Sequence, residues 1–168
     1  GTHAGADRLT TFLRWAHQHW PQTYVLKMDV RKFFPSVDHA RLKGILRRYV
    51  GCSRTLALCD GVIDSWSVGA GKGIPIGNLT SQLFANVYLH ELDEFVKCEL
   101  GWKMYVRYMD DAVFLGSNKV DLGVLRLTVE GFLHERLSLR LNPKTAIFPE
   151  AQGVDFLGYR IWRTHRLL

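Results

Sequence analysis

The stretch Tyr105-Val106-Arg107-Tyr108-Met109-Asp110-Asp111-Ala112-Val113-Phe114-Leu115 decides how this chain is read. Period-two side chains on both flanks predict two short strands, and the polar break between them predicts a tight hairpin with both carboxylates at its tip. Two-residue hairpins favour Gly or Asn, so a turn built on acids is chosen for its carboxylates over backbone ease. Adjacent acids in a turn also have a plain explanation as a solvated tip. A metal site calls for a further carboxylate on a neighbouring strand, because Mg²⁺ takes an octahedron of oxygens from one or two carboxylates plus substrate phosphates.

Upstream, Thr23-Tyr24-Val25-Leu26-Lys27-Met28-Asp29-Val30 supplies that carboxylate. Its alternation predicts a strand with Lys27 and Asp29 on one face, where a buried acid is costly unless cations pair with it. Arg31-Lys32-Phe33-Phe34-Pro35-Ser36 leaves this strand, and Ser36 or Asp38 caps a helix bearing Leu42, Ile45 and Leu46. Arg41, Lys43, Arg47 and Arg48 on that helix fit phosphate contact and plain solvation equally. Before the strand, residues 7–20 read as an amphipathic helix stopped by Pro21.

Residues 52–67 form another expected helix, followed by Gly69-Ala70-Gly71-Lys72-Gly73, which reads as a mobile connection because no Gly-Lys-Ser/Thr order makes it a phosphate loop. Ile74-Pro75-Ile76-Gly77-Asn78-Leu79-Thr80-Ser81-Gln82 leads into a long helix ending near Val96, with Asn78 or Thr80 as its cap. Beyond the acidic hairpin come a helix over 122–136, a strand over 137–141, a turn at Asn142-Pro143, a returning strand over 144–148 and a last hairpin over 154–162. Arg107, Arg140 and Arg160 read as solvated side chains or contacts to a nucleic-acid backbone. Hairpin connections among interleaved helices predict an α+β domain with an antiparallel sheet backed by helices.

The 168 residues suit one unit with a real core. No run approaches the eighteen or so apolar residues of a membrane span, and Gly1–Arg8 lacks a signal-peptide core, so an intracellular, non-membrane location is expected. Cys52, Cys59 and Cys98 are odd in number without CxxC spacing, which points to reduced packing residues rather than disulfides or zinc. A net charge of +6 favours a polyanionic partner held through counterion release.

Five stretches together resemble the palm region of a reverse transcriptase. Tyr108-Met109-Asp110-Asp111 matches the family's YxDD box, and Lys27–Phe34 matches the strand with its first catalytic acid. Gly73–Gln82, Leu141-Asn142-Pro143-Lys144-Thr145 and Phe156-Leu157-Gly158-Tyr159 resemble three further boxes in the family's order. The resemblance implies a polymerase palm plus the base of the fingers, one unit over 1–168 with a finger-side segment near 37–75. It further implies an RNA-directed DNA polymerase using two Mg²⁺ ions, replaceable by Mn²⁺. Asp29, Asp110 and Asp111 would be its catalytic acids and metal ligands, joined by the Val30 carbonyl. Arg31, Lys32, Phe33, Phe34, Ile76, Gly77, Gln82 and Lys144 would meet the nucleotide, with Phe34 the aromatic that rejects a ribose 2′-hydroxyl and Phe33 also suited to the core. Tyr108, Met109, Asn78, Ser81 and Gly158 would meet primer and template. The implied partners are an RNA template, a DNA or RNA primer, dNTPs and an accessory protein, in a bacterial or phage cytoplasm.

Most of the family carries Gln at the position of Ile76 and Pro at that of Gln82. The IGxxxSQ variant found here resembles reverse transcriptases of diversity-generating retroelements, which miscopy opposite adenine. An apolar Ile cannot hydrogen-bond the incoming nucleotide, and a lost polar contact weakens discrimination. Group II intron, retron and CRISPR-associated enzymes are the neighbouring alternatives, and a non-catalytic nucleic-acid-binding palm is the alternative of another class. The resemblance places upstream finger residues and a thumb outside Gly1–Leu168, so the isolated chain is expected to polymerise weakly or not at all and to leave faces open for self-association.

Overall fold

Alternation along one strand divides this protein into two cores. The computed structural model describes residues 1–168. The strand is β1 (Tyr24–Asp29), which lies inside a four-stranded antiparallel sheet of order β2-β3-β1-β4. Its companions are β2 (Tyr105–Tyr108), β3 (Asp111–Gly116) and β4 (Ala146–Pro149). Leu26 and Met28 of β1, with Ala112 and Phe114 of β3, point into the larger core. That core is closed by α3 (His39–Tyr49), α5 (Leu79–Glu94) and α6 (Lys119–Leu137).

Val25, Val113 and Leu115 point the other way, into a smaller core closed by α1 (Thr2–His19) through Leu9, Phe12, Leu13 and Ala16. A three-stranded sheet of β5 (Val154–Phe156), β6 (Tyr159–Ile161) and β7 (Arg166–Leu167) completes this second layer. Lys27 and Asp29 share the face of Val25, as their spacing predicts. The same strip of sheet therefore runs from buried valine to half-buried acid.

Local chemistry explains the remaining elements. Asp38 rather than Ser36 caps α3, accepting the Arg41 N–H at 3.0 Å. The short α2 (Phe33–Ser36) follows a left-handed Lys32, and α4 (Ser53–Asp64) packs on α3. Asn78 precedes α5 without a side-chain cap bond, and α5 runs on through a π-helical turn at Phe95–Glu99. No helix is long and apolar enough to cross a membrane.

Three expectations are corrected. The glycine-rich 69–73 segment is pinned, not mobile: Gly73 N–H donates to the Val37 carbonyl at 2.7 Å, and the buried His39 ring lies 2.6 Å from the Gly73 carbonyl. At φ +99° Gly73 also leaves space that a Cβ would fill, 2.7 Å from the Trp66 ring. Residues 137–141 do not form a strand that pairs with 144–148. Leu137 ends α6, left-handed Ser138 turns the chain, and Leu141 makes a lone bridge to Val30 while β4 pairs with β1. Both segments lie along β1, and residues 142–145 loop outward between them. The third correction concerns the acidic hairpin. Tyr108 pairs with Asp111, so the two-residue turn is Met109-Asp110 and Asp111 is the first residue of β3.

Phe114 is fully buried, tilted against the Tyr105 ring at 4.6 Å, and central to the larger core. Phe114→Ala is expected to cost about 3–5 kcal/mol of unfolding free energy, read from the urea midpoint at unchanged slope.

Candidate active site

Register brings the acids together. Antiparallel pairing sets Asp29 opposite Asp111, and the β2–β3 turn sets Asp110 beside them. The Val30 N–H donates to the Asp110 carbonyl at 3.3 Å, which ties the turn to the end of β1. Met109 holds φ +53°, a region costly for a residue with a side chain and clustered at functional sites.

Each acid has a different environment. Asp29 accepts a hydrogen bond from the Asn142 side chain at 2.8 Å, while its carbonyl accepts the Asn142 N–H at 2.7 Å. Asp111 pairs with Lys27 through Oδ2 at 3.0 Å, and its Oδ1 is buried without a partner. Lys27 also donates to the Asp155 carbonyl on β5. Burial raises the Asp110 carboxyl above the ordinary range, and the charge of Asp29 pushes it further up. Burial likewise raises Asp111; the Lys27 ammonium opposes the shift, and the charges of Asp29 and Asp110 add to it.

Such a cluster suits a divalent cation. No three carboxylate, imidazole or thiol groups in the chain converge as a complete ligand set. Mg²⁺ does not require one, since one or two carboxylates, substrate phosphates and water complete its octahedron. The orphaned Asp111 Oδ1 and the raised Asp110 are both relieved by positive charge, and all the donors are hard oxygens. Asp29 and Asp110 would be the residues to share such a cation, with the Val30 peptide alongside.

Residues 3–161 match the family model described as reverse transcriptase (RNA-dependent DNA polymerase). The chain belongs to the reverse transcriptase family. It is 27% identical to the protein YkfC of Escherichia coli K12 over 179 aligned positions, covering 83% of this chain and 47% of that protein. It is 32% identical over 74 residues to the group II intron-encoded protein LtrA of Lactococcus lactis, covering 40% of this chain and 12% of LtrA. The chain thus spans about half or less of these relatives. Its fold matches apo telomerase from Candida tropicalis with a TM-score of 0.74 at 18% identity, over 99% of this chain and 40% of that one. An antiparallel, palm-like sheet backed by helices is the fold it shares with that telomerase.

The other expected site residues of this reverse transcriptase chain fall into four groups. Phe34 is half-buried at the core's margin, and its carbonyl accepts the Ile74 N–H at 2.9 Å, so the Gly73–Gln82 stretch is stitched to it. Tyr108, Arg31, Lys32, Lys144 and Gly158 are exposed. Gly158 and Asp111 line one open cavity of about 400 Å³. Ile76, Gly77, Asn78 and Gln82 are exposed, and no hydrogen bond or ion pair joins them to the acids. Phe33 and Ser81 are each only 2% exposed. The side chains of those two belong to the core, where Phe33 packs edge-on against Phe34.

Sequence reasoning missed three neighbours. Lys27 was placed on the correct face but not paired with Asp111; the diagonal across β1 and β3 is the signal that finds it. Asn142 lies in a quoted box but was read as a turn residue only. Arg107 is not solvated: it is 9% exposed and joined to Asp93 on α5.

Asp110→Asn is expected to raise the thermal midpoint of the metal-free chain. A carboxyl whose folded pKa is raised destabilises the fold fully above that pKa and not at all below the unfolded value of about 3.9. The gain is therefore present at pH 7 and disappears as pH falls toward 4, which melting curves across that range would test.

Proposed function

We propose that this chain provides the catalytic palm of an RNA-directed DNA polymerase, with Asp29, Asp110 and Asp111 as its acids. The observation that carries this reading is the placement of Asp29 opposite Asp111 with Asp110 in the adjoining turn. Two Mg²⁺ ions, or Mn²⁺ in their place, would supply activation of the primer 3′-hydroxyl and neutralisation of charge on the transferring phosphates. Asp29 and Asp110 would hold the cations, and the Lys27 ammonium turns the Asp111 carboxylate toward β1 and opposes the upward push that burial gives it. Asn142 fixes the Asp29 carboxylate from the other edge. Catalysis then consists of positioning and preorganised charge.

The surrounding residues take roles by position. Phe34 would be the ring that a sugar 2′-hydroxyl meets, with Phe33 packed edge-on against it. Lys144, Arg31 and Lys32 lie exposed near the acids, free of ion pairs, and would meet triphosphate or primer phosphate. Tyr108, Met109 and Gly158 border the path of a primer strand, and Asn78 and Gln82 that of a template. The segment near 37–75 is the finger-side part. The RNA template, primer, dNTPs and any accessory protein are partners of the whole enzyme in a bacterial or phage cytoplasm.

The finer reading is an error-prone enzyme of the diversity-generating type. Ile76 supports it, being 76% exposed with no packing reason to be apolar. The partial likeness to LtrA favours a group II intron-type enzyme as the second reading.

In the polymerase that carries this chain, Asp110→Asn is expected to lower Mg²⁺-dependent primer extension on RNA by about three orders of magnitude or more, while a fully active variant rules out the acid's role. Ile76→Gln is expected to reduce misincorporation opposite template adenine at little cost elsewhere. Unchanged adenine errors in a sequencing assay would leave the group II intron-type reading standing.

A further inference from the structure

Behind the catalytic turn lies a buried polar group that the three acids do not explain. Arg107 sits on β2, two residues before Met109, and each of its three guanidinium nitrogens donates a hydrogen bond. Nε and Nη2 form a fork on Asp93, at 2.8 Å to Oδ1 and 2.6 Å to Oδ2, while Nη1 donates to the Met109 carbonyl at 2.7 Å. The Tyr105 hydroxyl donates to the same Asp93 Oδ1 at 2.8 Å. Arg107 is 9% exposed and Asp93 19% exposed. A bidentate fork fixes the guanidinium plane, which a flexible ammonium cannot do, so the third nitrogen has a defined direction.

That direction is the strained peptide of the turn. Met109 at φ +53° would relax unless its surroundings over-determine it, and its carbonyl is the atom Arg107 grips. The next residue is Asp110, whose own carbonyl receives the Val30 N–H. The turn is thus clamped at two consecutive carbonyls, one from α5 through β2 and one from the end of β1. Burial opposes the charge on Asp93, and the Arg107 bonds and charge more than offset it, leaving the carboxyl below its ordinary range; the pair is therefore ionised across neutral pH.

We propose that Asp93 is a positioning residue that acts through Arg107 to hold the Met109 carbonyl and so aim the Asp110 carboxylate toward Asp29. The role rests on the reading of these acids as a cation site, but its first test does not. In the metal-free chain, Asp93→Asn keeps the size of the side chain and removes its charge. It is expected to speed amide hydrogen exchange at Val30 and Asp111 at least tenfold beyond any change at Phe114. Tyr88→Phe serves as control, because it removes a buried hydrogen bond to the Leu137 carbonyl that involves no residue of the turn or its clamp, and is expected to leave the Val30 to Phe114 ratio unchanged. In the second test, Mn²⁺ binding followed by electron paramagnetic resonance weakens at least tenfold in Asp93→Asn and is lost in Asp110→Asn. Arg107→Lys, which keeps the charge but not the fork, behaves like Asp93→Asn. If Asp93→Asn does not fold, Tyr105→Phe removes one bond to Asp93 and shows the same pattern at smaller amplitude. Exchange at Val30 and Asp111 that follows Phe114 in every variant overturns the positioning role. Mn²⁺ binding that survives Asp110→Asn overturns the cation-site reading instead and leaves the exchange result to decide the role of Asp93.

Discussion

Three acids at one end of a sheet repel one another, and the protein holds them there through the register between β1 and β3. That register is fixed from both sides. Leu26, Met28, Ala112 and Phe114 are committed to one core and Val25, Val113 and Leu115 to the other, so a one-residue slip would reverse every side chain at once. The apolar contacts thus offset an electrostatic cost and confine it to the acids. The orphaned oxygen of Asp111 and the raised carboxyls of Asp110 and Asp111 are local expressions of that cost.

Around this strip each polar partner has a separate source. Lys27 comes from the same strand as Asp29, Asn142 from the loop leading to β4, and Arg107 from β2. The β5–β6 hairpin joins the group through the Asp155 carbonyl, which Lys27 reaches. Four segments distant in sequence therefore meet within a few residues of the acids. A site assembled from rigid strands in this way is held more accurately than one hung on loops.

The acids, their strand and the α+β class were legible in the sequence because local patterns encode them. Alternation in Tyr24–Val30 puts Asp29 on the correct face, and the Tyr108–Asp111 box needs no tertiary information. Pairings between elements were not legible. Nothing near Arg107 announces Asp93 on α5, and an exposed arginine was the more common outcome. Leu137, Leu139 and Leu141 alternate as a strand does, yet left-handed Ser138 closes α6 there and allows Leu137 and Leu139 to share one core. The glycines at 69–73 suggested freedom, and only the fold reveals that His39 and Val37 hold them. At Met109 the missing Gly or Asn already signalled a backbone cost, and the left-handed φ shows where that cost falls.

The strand order carries a kinetic consequence. Lys27 and Asp111 are 84 residues apart in the chain, and β1, although first of the strands, can find β3 only after α3, α4, α5 and β2 have been passed. Loop closure over that distance must precede the contacts that reward it, so this central pairing belongs to the slow, non-local part of folding. The β2–β3 hairpin, by contrast, closes locally. Two of the three acids are consequently placed early, and the third arrives with the completion of the sheet, which couples the competence of the site to the finished fold.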